Sequence, residues 1–256
     1  MTRRCVAAVL LGLGVLVSAC GGSGEAGLPT FDHAVKGDRV EPQSFLDALR
    51  ASFRTGSTAN VSFDVSAGAA LRGAGAVRYA AHRMDADLRV DDWKVEGASV
   101  DIRMVDGTTY MRVPESHGLW VNLTDAGPGM PGADLAGDAD PRQTIDDLKA
   151  SISEVRFSGT ERIGGVSTRR FEVVTKPKNR SAAGTSGASG HPVVTDYWFD
   201  RRDRVVRRQS ELDGGRATFT WTRWGAEVRI VRPKRDEVIT LRRLEQLRRQ
   251  AVAPAG

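Results

Sequence analysis

The sequence predicts an α+β fold whose body is a curved antiparallel sheet. Three observations carry this. Between Ala59 and Leu123 apolar residues recur at every second position: Val61, Phe63 and Val65; Val77 and Tyr79; Met84, Ala86, Leu88 and Val90; Ala98, Val100, Ile102 and Met104. A period of two gives each run one buried and one wet face, and turn residues between runs make them a meander. A second block, residues 155–231, repeats the pattern. Stretches 42–54, 141–153 and 236–250 instead carry apolar residues at helical spacing. The buried face also mixes large groups with small ones (Gly73, Gly75, Ala86, Ala98), and a concave face of that kind can leave room for something that is not protein.

In chain order, Arg3 and Arg4 precede a short apolar run from Val6 to Val17. That run is too short to span a bilayer, which takes about 20 residues, and it has the form of a secretory leader. Val17-Ser18-Ala19-Cys20 then matches a bacterial lipobox, in which the Cys20 thiol is diacylated and becomes the mature N-terminus. Residues 1–19 are therefore expected to be a lipoprotein signal peptide and 20–40 a flexible Gly-rich tether. A domain over 41–235 follows. It opens on a helix with Phe45, Leu46, Leu49 and Phe53 on one face and Ser44 as its N-cap.

The meander continues through Asp106-Gly107, a hairpin turn, to Tyr110 and Trp120-Val121-Asn122-Leu123. Residues 124–141, rich in Gly, Pro and Asp, read as a long loop. The second helix, with Ile145, Leu148 and Ile152 as its stripe, is expected to lie across the open side as a lid. In the second block Val155, Phe157 and Gly159 alternate, as do Phe171, Val173 and Thr175, then Val193, Thr195, Tyr197 and Phe199, and Phe219 and Trp221. Residues 176–190 are a polar low-complexity insertion. The last segment, 236–256, carries Val238, Leu241, Leu244 and Leu247 on one face and Arg242, Arg243, Arg248 and Arg249 on the rest. Such a basic helix either lies on anionic headgroups or packs on the domain edge with its arginines in water.

Cysteine usage fits an envelope protein that needs no disulfide: Cys5 leaves with the leader and Cys20 is modified. Removing Arg3 and Arg4 from the 37 cations leaves 35 against 32 acids, a net charge of +3, too mild for a nucleic-acid partner. Scarce Lys and abundant Arg, Ala and Gly suit a GC-rich actinobacterial genome. Catalytic motifs are missing. His33, His82, His117 and His191 stand far apart, Ser186 lacks the glycine that a nucleophile elbow requires, and no cysteine is left for zinc. Neither an enzyme, a cofactor nor a metal is expected.

Several short motifs coincide in order: the lipobox, Gly75-Ala76-Val77-Arg78-Tyr79, Arg103-Met104-Val105-Asp106-Gly107-Thr108-Thr109-Tyr110, Gly159-Thr160-Glu161, Phe171-Glu172-Val173, Tyr197-Trp198-Phe199-Asp200 and Trp224-Gly225-Ala226-Glu227-Val228. In this order the chain resembles the LppX/LprAFG family of actinobacterial lipoproteins, whose fold is similar to that of LolA and LolB. The resemblance covers roughly Phe45 to Val238. It implies a LolA-like antiparallel half-barrel with helices on its concave face, binding an acylated lipid in an apolar cavity. No catalytic motif transfers.

The function expected is a lipid-anchored lipoprotein on the extracytoplasmic face of the cell membrane, a monomer, holding a lipid or a lipoprotein acyl chain. Candidate wall residues are Phe63, Val65, Val77, Met84, Leu88, Val100, Ile102 and Met104. Any of these serves equally well as ordinary core packing under the helices. The alternative function is a structural or signalling envelope lipoprotein that binds another protein without a lipid cargo.

Overall fold

The computed structural model describes residues 30–66, 70–80, 83–91, 99–123, 141–176, 192–212 and 215–252. Cys20, Ala98, the 124–140 loop and most of the 176–190 insertion lie outside them. Among the described residues twelve strands form one open sheet. Helix α1 (Pro42–Ser52) precedes β1 (Thr58–Val65), β2 (Leu71–Tyr79), β3 (Met84–Asp91), β4 (Ser99–Val105), β5 (Thr108–Arg112) and β6 (Trp120–Asn122). Helix α2 (Pro141–Ser151) precedes β7 (Ile152–Ile163), β8 (Val166–Thr175), β9 (Val193–Phe199), β10 (Val205–Leu212) and β11 (Gly215–Thr222). The chain closes with β12 (Val238–Thr240) and α3 (Leu241–Val252).

The spatial order is β12-β6-β5-β4-β3-β2-β1-β11-β10-β9-β8-β7. Each block is a meander, as the alternation predicts. The blocks join where β1 pairs antiparallel with β11, Phe63 opposite Phe219 and Val61 opposite Trp221. Among the described strands only the β12–β6 pair is parallel.

One face of the sheet carries the main core. Val61, Val77, Ala86, Ile102, Met104, Phe171 and Val173 are buried with Phe45, Leu46, Leu49 and Phe53 of α1 and Ile145 and Leu148 of α2. Phe45 is the hub, its ring 5.4 Å from Tyr197, 5.8 Å from Phe199 and 6.0 Å from Phe171. On the other face Val105, Tyr110, Trp120 and Ile230 form a small second cluster. Trp120 is flanked there by the guanidinium groups of Arg103 and Arg112, at 4.5 and 4.6 Å from its ring.

Several expectations change. Residues 30–40 do not behave as free tether. Phe31 is buried and stacks on Phe171 at 4.5 Å, and the Gly37 and Val40 amides donate to the carbonyls of Phe157 and Val155. This segment covers the β7 edge, whose backbone groups would otherwise stay unpaired. Glu41, not Ser44, caps α1: its carboxylate accepts from the Gln43 and Ser44 amides, and Pro42 occupies the first turn. The Ser44 hydroxyl instead accepts the Phe31 amide. Ile152 ends the apolar stripe of the second helix in sequence, yet it opens β7, opposite Thr175. The basic helix begins at Leu241 rather than Asp236, because Val238–Thr240 extend the sheet beside β6. Leu244 of α3 is buried while Arg242, Arg243, Arg248 and Arg249 stay exposed, so α3 packs at the sheet edge.

Gly73 and Gly75 are small for a reason other than leaving space. A Cβ on Gly75 would overlap the Asp87 carbonyl oxygen and stand 2.8 Å from Leu88 Cα; one on Gly73 would overlap the Phe63 ring. The two glycines let β2 approach β3 and the Phe63 ring more closely than any side chain permits.

The outer face of the sheet is laced by ion pairs. Asp85, 1% exposed, accepts from Arg78 at 2.7 Å, from Arg83 at 3.3 Å and from the Asp106 amide at 3.1 Å. Burial pushes its carboxyl pKa up, but the hydrogen bonds from Arg78 and the Asp106 amide, with the charges of Arg78 and Arg83, outweigh it and hold the group below its ordinary value. A lowered folded pKa gives stability that is present above the unfolded carboxylate pKa, about 3.9, and lost as pH falls through the folded one. Asp85→Asn is expected to cost about 2 kcal/mol at neutral pH and to flatten the loss of stability below pH ~4. Urea denaturation at pH 7 and pH 3 measures both; an unchanged acid limb would show that Asp85 does not drive it.

Candidate ligand cavity

Between α1 and the sheet lies a cavity of about 150 Å³. Antiparallel register builds its floor as transverse rows. One row runs Tyr197, Arg208, Phe219, Phe63, Gly73 and Val90 across β9, β10, β11, β1, β2 and β3. The next runs Trp221, Val61, Gly75, Leu88 and Ile102, and a third places Val77, Ala86 and Met104 in line. Leu49 of α1 and Phe53, the residue that caps the helix C-terminus, form the roof.

Seven of the eight wall residues named from the sequence meet here: Phe63, Val65, Val77, Met84, Leu88, Ile102 and Met104. Val100 does not line the space; opposite Val90, it is packed into the core at 3% exposure. The lid expectation also changes. The roof comes from α1, and no described residue of α2 faces the cavity. Alternation within the first block could not reveal the contributions of Tyr197, Arg208, Phe219 and Trp221, which arrive through the β1–β11 pairing. Their own alternation was the signal available.

The cavity is graded. Leu49, Phe53, Val77, Tyr79, Ile102 and Met104 are buried, whereas Phe63, Val65, Leu71, Arg208 and Phe219 are partly exposed and form its more open end. Its polar groups are few. The Trp221 indole N–H donates to the Tyr79 hydroxyl at 3.0 Å, which keeps both satisfied in an apolar setting. The Tyr197 hydroxyl and the Arg208 Nε are buried, and neither has a hydrogen-bond partner among the described residues. Burial pushes the Tyr197 phenol pKa up, and the nearby Arg208 charge opposes the shift. Nothing in this lining is a nucleophile paired with a base. No group of three His, Cys, Asp or Glu among the described residues is placed to hold a metal ion. Nor is any described helix long and apolar enough to cross a membrane.

No family model and no curated protein matches the chain. Solved structures do. The Mycobacterium tuberculosis lipoprotein LppX is 16% identical with a TM-score of 0.52, over 75% of this chain and 100% of LppX. LprF from Mycobacterium bovis is 16% identical with a TM-score of 0.55, over 81% of this chain and 99% of LprF. At this identity the likeness is one of fold, and at that level it agrees with the resemblance carried by the sequence motifs.

Proposed function

We propose that this chain, having the fold of the lipoproteins LppX and LprF, is an envelope lipoprotein anchored through Cys20 that holds an acyl chain between α1 and the sheet. One observation carries the reading: the cavity is lined by aliphatic and aromatic side chains and is not filled by them. Burying each CH₂ of an acyl chain is worth about 0.8 kcal/mol, so a dry apolar slot is what such a ligand requires. The size sets how it sits. A 150 Å³ apolar cavity is the size that takes up benzene, about six carbons, so a longer chain runs out past Phe63, Val65 and Leu71 or moves α1 off the sheet.

No step of chemistry is needed. The sheet supplies a fixed wall whose register is set by neighbouring strands, and α1 closes the other side with Leu49 and Phe53.

The test is solvent extraction of the purified protein followed by mass spectrometry. Wild type is expected to release a non-covalent acyl lipid in stoichiometric amount. Leu88→Trp, at a half-buried wall position opposite Gly75, is expected to fill the slot and release less than a tenth as much while still folding. Equal lipid from both proteins, or none from wild type, overturns the reading.

A further inference from the structure

Arg208 is out of place among the strand arginines. Arg78, Arg103, Arg112 and Arg170 stand on the outer face, each holding an aspartate of a neighbouring strand at 2.6–2.8 Å. Arg208 points the other way. It lies in the row between Tyr197 and Phe219, with its guanidinium carbon 6.0 Å from each ring, and it lines the cavity. No described carboxylate pairs with it, and its Nε is buried without a partner. The Tyr197 hydroxyl beside it, on a residue 2% exposed, is likewise unpartnered.

Two unsatisfied donors at one end of an apolar slot are costly when the slot is empty. An orphaned buried polar group loses about 1–3 kcal/mol, more when charged. Aromatic faces on both sides compensate the guanidinium in part, because a cation over a ring is attracted by its quadrupole. They offer it no acceptor. The group that answers both donors is an anionic oxygen.

We propose that the cavity takes an acyl chain bearing an anionic head, such as a fatty carboxylate, with the head on Arg208 and the Tyr197 hydroxyl and the tail running toward Val77 and Met104, a tail longer than about six carbons being housed by moving α1 off the sheet. This rests on the acyl-binding reading above. The arrangement suits an amphiphile. Arg208 lies at the partly exposed end, where a head keeps contact with water, and Val77, Tyr79 and Met104 close the dry end. Arg is the suitable residue, because its fork of donors matches a planar carboxylate.

A photoactivatable C16 fatty acid and its methyl ester, applied to the full chain in maltoside micelles, separate the alternatives, with labelled cavity peptides read by mass spectrometry. Wild type is expected to reach half-maximal labelling with the acid at about a tenfold lower concentration than with the ester, the value of one charge-assisted hydrogen bond. Arg208→Gln is expected to abolish that preference and leave ester labelling unchanged, and Arg208→Lys to restore part of it. Tyr197→Phe keeps the ring, so it is expected to weaken acid labelling alone and to raise the melting temperature of the unliganded protein. Equal labelling by acid and ester in wild type, or a preference that survives Arg208→Gln, overturns the head-group assignment while acyl binding stands. If neither probe labels the cavity peptides, both proposals fall.

Discussion

Replacing Cys20 by serine is expected to abolish the incorporation of a labelled fatty acid into this protein and to remove its firm hold on membranes. The expectation rests on Val17-Ser18-Ala19-Cys20, where the cysteine follows the apolar run directly with small residues before it. The effect is nearly all-or-none for a physical reason. Each CH₂ buried in the bilayer contributes about 0.8 kcal/mol, so one chain binds marginally and two bind firmly. No described helix offers a substitute anchor, and the exposed arginines of α3 contribute only about 1 kcal/mol each at an anionic surface. Growth with an alkyne-tagged fatty acid, followed by gel fluorescence, reads the outcome. A Cys20→Ser protein that still takes up the label would place the lipid on another residue, and the Cys20 anchor would have to be abandoned.

The largest effect on folding is expected at Gly75. Gly75→Ala places a Cβ against the Asp87 carbonyl oxygen and 2.8 Å from Leu88 Cα. Both are backbone atoms, which no rotamer change relieves, so β2 has to move away from β3. Because Gly75 sits in the row Trp221–Val61–Gly75–Leu88–Ile102, that movement spreads along the cavity floor. The expected cost is about 3 kcal/mol or more, the upper range for overpacking. Gly107 provides the contrast. Its φ is +74° and a Cβ there meets open space, so Gly107→Ala costs only the left-handed backbone penalty, about 1–2 kcal/mol. Urea midpoints of the two variants decide it. A Gly75→Ala protein no less stable than Gly107→Ala would mean that the strands separate there without strain.

Gly75 also marks where reading the sequence stopped short. Its position on an apolar face suggested empty space, but the structure fills that space with neighbouring backbone. Phe31 shows the same limit from the other side. It lies in a Gly-rich, aperiodic segment, yet it docks onto Phe171 and Phe45. A single aromatic gives no periodic signal, and its place is fixed by contacts with residues far along the chain. Seven wall residues of β1 to β4 were legible because side-chain alternation states directly which residues share a face; it does not say where on that face the space lies, so Val100 was included and Leu71 missed.

Local periodicity and composition are enough to read the two runs of alternating strands, the amphipathic helices and the apolar character of most of the cavity wall. Long-range packing sets β1 against β11, puts α1 rather than α2 over the cavity, and leaves the Arg208 Nε and the Tyr197 hydroxyl buried without hydrogen-bond partners among the described residues. Periodicity says which way a side chain points but not which distant strand lies opposite, because register across a sheet is chosen by the packing of the whole core.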